Sequence, residues 1–161
     1  MKFFFKKIRI YLFILIYGSI KFNNSRLSKH KVKSIKITNK KYNIYELNNV
    51  RVYTDTNDIA YIDNDNKIIQ GPSIQIRNSR YSNIRNNVSI KNGTPQILKK
   101  INTRTFSLLC GAHGNNNYFH WFFDVLPRIY IFKKVFKINS KNTFLVPSLE
   151  HEYQRESLKF L

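Results

Sequence analysis

Hydrophobic positions change their spacing several times along this chain, and each change marks an element. Lys2, Lys6, Lys7 and Arg9 are set among apolar residues and precede an uncharged run, Ile10 to Ile20. That run is too short to span a bilayer, which needs about 20 residues. It resembles the apolar stretch of a signal peptide, but no small-residue cleavage site follows it. Two further readings fit: a helix lying on a membrane surface with its lysines on anionic head groups, or an N-terminal helix packed on the fold. Residues 23–41 are polar and basic, and read as a linker in which His30 is solvated.

From Tyr42 onward the apolar runs are short and alternate with polar ones. Val50 to Tyr53 is a strand candidate. Ile59 to Ile62, Asp63-Asn64-Asp65-Asn66 and Lys67 to Ile69 read as strand, turn and strand. The acidic tetrad hints at a calcium loop, yet Ile68 and Ile74 stand where an EF-hand needs Gly and Glu. It is a turn. Ser73 to Asn102 reads as a loop over the fold, with Ile74 and Ile76 as its best strand signal. Arg77, Arg80 and Arg85 around Tyr81 offer a weaker reading as a stacking surface for nucleic acid.

Thr105 to Cys110 is a continuous apolar run ending in Gly111, the pattern of a buried parallel strand feeding a helix. The Gly114 to Asn117 cluster is turn chemistry, with Asn115 or Asn116 as candidate helix cap. Wound at about 100° per residue, the next segment places Asn117, His120, Asp124 and Arg128 in one stripe. Tyr118, Phe119, Phe122, Val125, Leu126 and Ile129 spread over much of the remaining circumference. The expectation is a buried helix with a single polar seam, kinked at its end by Pro127. Lys133, Lys134 and Lys137 suit its C-terminus. Thr143 to Pro147 reads as a second buried strand, and Glu150 to Leu161 as a second helix, with Ser148 as cap and Tyr153, Leu158 and Leu161 facing inward. Strand, helix, strand, helix is βαβ order, so the class is α/β, with the beginning of a Rossmann-like domain. In such sheets ligands sit beyond the carboxyl ends of the strands, where the loop from His113 to Asn117 falls.

Two chemistries fit the seam. His120 and Asp124 are four residues apart and can form a hydrogen-bonded pair that pins the helix in a core, with Arg128 satisfied by a carbonyl. Alternatively Asp124 polarises His120, and Arg128 offers a forked donor to an anionic or sugar oxygen.

The run from Asn117 to Arg128, Asn-Tyr-Phe-His-Trp-Phe-Phe-Asp-Val-Leu-Pro-Arg, resembles the signature of the family-61 glycosyltransferases, which include capsular polysaccharide biosynthesis proteins. Phe144 to Pro147, Tyr153-Gln154 and Glu156 to Leu158 also sit where that family has a strand, a proline and a helix. The resemblance implies a two-lobed GT-B glycosyltransferase, of which this chain would supply the Rossmann-like, acceptor-side N-terminal lobe over residues 42–161. A small strand-rich subregion would open that lobe, and the basic, apolar segment 1–22 would precede it. The reaction implied is transfer of a sugar from a nucleotide-sugar donor to a hydroxyl of a glycan acceptor. His120 with Asp124 would be the base or acceptor-orienting pair. Asn117, Arg128 and His113 would bind substrate. No cofactor or metal is expected, because Asp124 is the only carboxylate near the signature. Family members are longer, and their second half carries a glycine-rich donor loop. Gly111-Ala112-His113-Gly114 precedes the signature and is not that loop. The chain is therefore expected to be a fragment or a split or truncated product that transfers nothing alone.

Charge adds a second set of expectations. The 161 residues carry 28 Lys and Arg against 9 Asp and Glu, a formal net charge of +19. Heavy use of Asn, Ile and Lys suggests that part of this is compositional background. A positive field still favours anionic partners, whether lipid head groups, nucleotide-sugars or phosphorylated acceptors. A membrane-associated polyanion-binding module or an RNA-binding protein is the alternative, with nucleic acid the less expected partner. A lone Cys110 excludes an intrachain disulfide and is compatible with a reducing compartment. The expected place is the cytoplasm, peripheral to the inner membrane face.

Overall fold

A computed structural model describes residues 2–21, 30–54, 58–73, 76–77, 80–81, 87, 98–110 and 117–160. Backbone contacts divide the chain into two units, Met1–Ile97 and Leu98–Leu161. The boundary lies inside the stretch expected to form one lobe.

In the first unit, helix α1 (Lys2–Tyr17) contains neither Gly nor Pro and ends at Gly18. Gly18 has φ 79° and donates its N–H to Ile14 O at 2.8 Å, a left-handed helix stop. A side chain there would also strike the Asn66 amide. Phe13 and Tyr17 pack one side of α1 against Tyr53, Ala60, Ile62 and Ile68. These belong to, or adjoin, the antiparallel pair β3 (Arg51–Thr54) and β4 (Ile59–Ile62), whose register runs Arg51↔Ile62 to Thr54↔Ile59. All four β4 residues are buried. Polar side chains serve their backbone, as Ser73 Oγ accepts from Tyr61 N at 3.0 Å and Asn87 Nδ2 donates to Ile59 O at 2.9 Å.

The acidic tetrad is the turn expected of it. Asp63 Oδ1 accepts the N–H groups of Asp65 and Lys67 at 2.9 and 2.8 Å, and Asn66 takes the left-handed conformation at φ 60°. The chain beyond the turn continues the antiparallel pairing through Ile69 N to Tyr61 O at 2.8 Å.

The expected linker is partly a hairpin. Strands β1 (Lys31–Ile37) and β2 (Lys40–Glu46) pair in antiparallel register from Lys31↔Glu46 to Ile37↔Lys40, turning at Thr38-Asn39. Interleaved lysines hid the strand pattern, and Lys36 even stands opposite Lys41, an unfavourable like-charge pair. The hairpin is held by buried Ile44, by a Lys33–Glu46 ion pair at 2.5 Å and by Ser34 Oγ donating to Asn43 Oδ1 at 2.8 Å. Tyr45 lies so close to Gly71, itself at φ 92°, that a Cβ at that position would overlap its ring. His30 is half-buried rather than solvated, and neither ring nitrogen has a hydrogen-bond partner among the described residues. A short antiparallel pair, β5 (Ile76–Arg77) with β6 (Arg80–Tyr81), follows. Ile74 and Arg85 lie outside the described residues.

The second unit is βαβα. Strand β7 (Thr105–Ser107) pairs in parallel with β8 (Thr143–Leu145), and the ladder extends through Leu108 N to Leu145 O at 2.8 Å. Between them runs helix α2, formed by Tyr118–His120, a π turn at Trp121–Val125 and Leu126–Val135. Helix α3 (Glu152–Lys159) follows. Its cap is His151, in a reciprocal capping box with Gln154, while Ser148 donates to Glu150 Oε1 at 2.8 Å instead of capping. The core of this unit is Leu108, Trp121, Val125 and Ile129, extended by part-buried residues such as Phe144, Tyr153 and Leu158. Phe106 sits among the rings of Phe132, Phe136 and Phe144 at 5.0 to 5.5 Å. The residue of α3 that is wholly buried is Gln154; Leu161 lies outside the described residues. The fold is thus mixed α/β, with sheets of two strands each among the described residues. A parallel βαβ crossover is present, but an open, many-stranded Rossmann sheet is not described.

Candidate functional site

Helix α2 begins where an extended residue gives way to helical ones. Asn117 has φ −120° and ψ 115°, and its Oδ1 accepts His120 N at 3.2 Å. The cap is therefore Asn117 itself, one or two positions after Asn115 and Asn116. Its side-chain oxygen is engaged by the backbone at the start of the seam.

One turn later the helix widens. Leu126 N bonds to Trp121 O, five residues back, which defines the π turn. Single π turns of this kind occur often at functional sites. Pro127 follows one residue later, at the start of the regular α-helical segment. The helix therefore runs through the proline.

Four of the five candidate residues fall together as their spacing indicates. His120 Nδ1 lies 2.5 Å from Asp124 Oδ2, with the two side chains 31% and 50% exposed. Arg128 Nε donates to the main-chain carbonyl of Asp124 at 2.9 Å, and its Nη1 donates to Leu109 O at 2.6 Å. The guanidinium thus ties the seam to the chain just beyond β7. It serves as a lock for the helix, with two of its donors spent on carbonyls. His113 lies outside the described residues.

The setting differs from the buried helix expected. Trp121, Val125 and Ile129, four residues apart, are the buried stripe of α2. Tyr118, Phe119, Phe123 and Tyr130 are more than half exposed. Phe119 and Phe123 stack on each other at 4.5 Å, and Phe119 meets the His120 ring edge-on at 5.7 Å. The seam therefore runs along the surface, flanked by a stacked phenyl pair. The spacing of Phe119 and Phe123 carried the signal for that pair, since residues four apart share a helical face. On the buried side, Trp121 Nε1 donates to Ser157 Oγ at 2.8 Å, joining α2 to α3.

Asp63 and Asp65, the other close carboxylates, belong to the first unit's turn. Among the described residues no three side chains of metal-ligating type converge. Compared with protein-family models, curated proteins and solved structures, the chain matches none.

Proposed function

We propose that the chain is the acceptor side of a glycosyltransferase, holding a glycan hydroxyl for attack on an activated sugar. The observation that carries this reading is the His120–Asp124 pair at 2.5 Å on a surface of α2. As a stabilising device the pair is weak, because exposed helix ion pairs contribute only about 0.3–0.5 kcal/mol. As a proton acceptor it is well built. A neutral imidazole that gives its Nδ1–H to a carboxylate carries its lone pair on Nε2. That nitrogen can take the acceptor's proton as the hydroxyl oxygen bonds to the anomeric carbon and the bond to the leaving phosphate breaks. Asp124 then steadies the imidazolium.

The neighbouring side chains suit a sugar. Phe119 and Phe123 present flat apolar area beside the pair, onto which the C–H face of a pyranose ring fits. Arg128, anchored at Leu109 and Asp124, holds the helix rigid behind the pair. The motif resemblance over Asn117 to Arg128 points to the same chemistry. Donor recognition is assigned to a separate lobe, as that resemblance implies.

Titration of isotope-labelled protein with neutral oligosaccharides tests the reading. Shifts centred on His120, Phe119 and Phe123, weakened in Asp124→Ala, support it. If neutral glycans move nothing and only polyanions bind, in a way that collapses with salt, the alternative of a polyanion or RNA-binding module replaces it.

A further inference from the structure

Helix α1 has the opposite polarity from a helix that rests on a protein core in water. Its inward side is narrow, consisting of Phe13, Tyr17 and part-buried Ile10. Its outward side is apolar. Phe4, Ile8, Tyr11 and Leu15 follow one another at four, three and four residues and so form a single stripe, with exposures of 65%, 39%, 67% and 68%. Phe5, Leu12 and Ile16 widen it on one flank and are exposed as well. No acidic residue occurs in the helix, whereas Lys6, Lys7 and Arg9 stand in its first half. Lys7 bends over the Phe3 ring at 4.9 Å, leaving its ammonium on the margin of the apolar surface.

We propose that α1 docks this protein on an anionic lipid bilayer. The helix lies in the interface, with the Phe4, Ile8, Tyr11 and Leu15 stripe among the acyl chains and Lys7, at the margin of that stripe, at the lipid phosphates. Length favours lying over crossing: 16 residues at about 1.5 Å each fall short of a hydrocarbon core of about 30 Å. No helix among the described residues is long and apolar enough to cross a membrane. Charge favours lipid over a second copy of the chain, since two copies at a net charge of +19 each repel and each helix brings its own basic cluster. An anionic surface neutralises that cluster instead. Gly18 and the packing of Phe13 on Tyr53 hold the far end of α1 to the fold, so the outward stripe is presented without unfolding anything.

Vesicle sedimentation with the full chain decides the matter. At about 0.1 M salt the protein should pellet with phosphatidylcholine vesicles containing about a quarter phosphatidylglycerol, and at least about tenfold more weakly with pure phosphatidylcholine. Phe4→Glu with Leu15→Glu should lower binding to the anionic vesicles by about tenfold or more. Circular dichroism and melting temperature should stay unchanged, because both side chains already face solvent. Lys7→Gln should weaken the preference for anionic lipid. Failure of the native chain to pellet overturns the proposal, as does undiminished pelleting of the Phe4→Glu, Leu15→Glu variant. Resistance to alkaline carbonate extraction would show a spanning segment and overturn interfacial docking. A concentration-dependent dimer, abolished by the same glutamates and unable to bind vesicles, would assign the stripe to a second copy. None of these outcomes depends on the glycan titration.

Discussion

The indole N–H of Trp121 donates to Ser157 Oγ at 2.8 Å, and that hydroxyl passes its own hydrogen to Gln154 O at 3.1 Å. Thirty-six residues of sequence are closed by this relay, from the π turn of α2 to the middle of α3. Trp121 is wholly buried, so its N–H has no recourse to water.

Ser157→Ala should therefore cost about 1–3 kcal/mol by leaving the indole unpaired. Trp121→Ala should cost roughly 3–5 kcal/mol, the loss of a large buried ring plus the cavity it leaves. In the Trp121→Phe background, Ser157→Ala should cost much less than alone, because the donor it serves is already gone. Chemical denaturation of the four proteins measures the coupling. Additive effects would show that the bond carries no stability.

Arg128 has an equally definite test. Its planar fork reaches the carbonyls of Asp124 and Leu109 together, which a single ammonium cannot reproduce. Arg128→Lys should destabilise the second unit by about 1–3 kcal/mol. Glycan shifts at His120 should persist wherever the variant remains folded. A variant of normal stability that no longer binds glycan would instead make Arg128 a ligand.

These two residues also show what the sequence disclosed and what it withheld. Periodicity placed His120, Asp124 and Arg128 on one stripe, and they do interact, because helical spacing survives the π turn between His120 and Leu126. The same periodicity suggested a buried helix, since apolar residues surround the seam. Burial depends on how many layers are available, and a unit of Leu98–Leu161 offers one face to α2. Trp121, Val125 and Ile129 take that face, and the other aromatics are left outside. The parallel pairing of β7 and β8 was legible from two apolar runs around a helix. The hairpin β1–β2 was not, because lysines occupy both its faces and turn chemistry at Thr38-Asn39 is weak. Arg128's partners were hidden for another reason: backbone carbonyls leave no mark in a residue pattern.

Tyr53 gives the first unit a pH dependence. Burial raises its phenol above the usual range, and the nearby Arg51 guanidinium pulls the other way without cancelling the shift. In the unfolded chain the phenol ionises near pH 10. Above that pH the unfolded state loses a proton that the folded state keeps, so stability should fall as pH rises through the folded value. Below about pH 10, where both states keep the proton, Tyr53 should contribute no slope. Tyr53→Phe should flatten the alkaline limb of a stability–pH curve measured by urea unfolding. An unchanged limb would assign the alkaline loss to other groups.

The chemistry assigned to His120 requires a turnover measurement, with the chain joined to or mixed with a donor-binding lobe. His120→Asn keeps much of the side-chain size and one hydrogen bond toward Asp124. Since the pair is 31% and 50% exposed, the melting temperature should barely move. Turnover should nevertheless fall by about 10²–10⁴, the usual worth of a positioned base. Asp124→Asn should follow in the same direction, because the imidazolium loses its charged partner while the bond geometry survives. Phe119→Ala with Phe123→Ala should act differently, raising KM for the acceptor more than it lowers kcat, as expected of groups that hold the sugar without touching its proton. The decisive contrast is between stability and rate. If His120→Asn unfolds the protein and the folded remainder turns over normally, the pair is a structural bond of α2 and the base lies elsewhere.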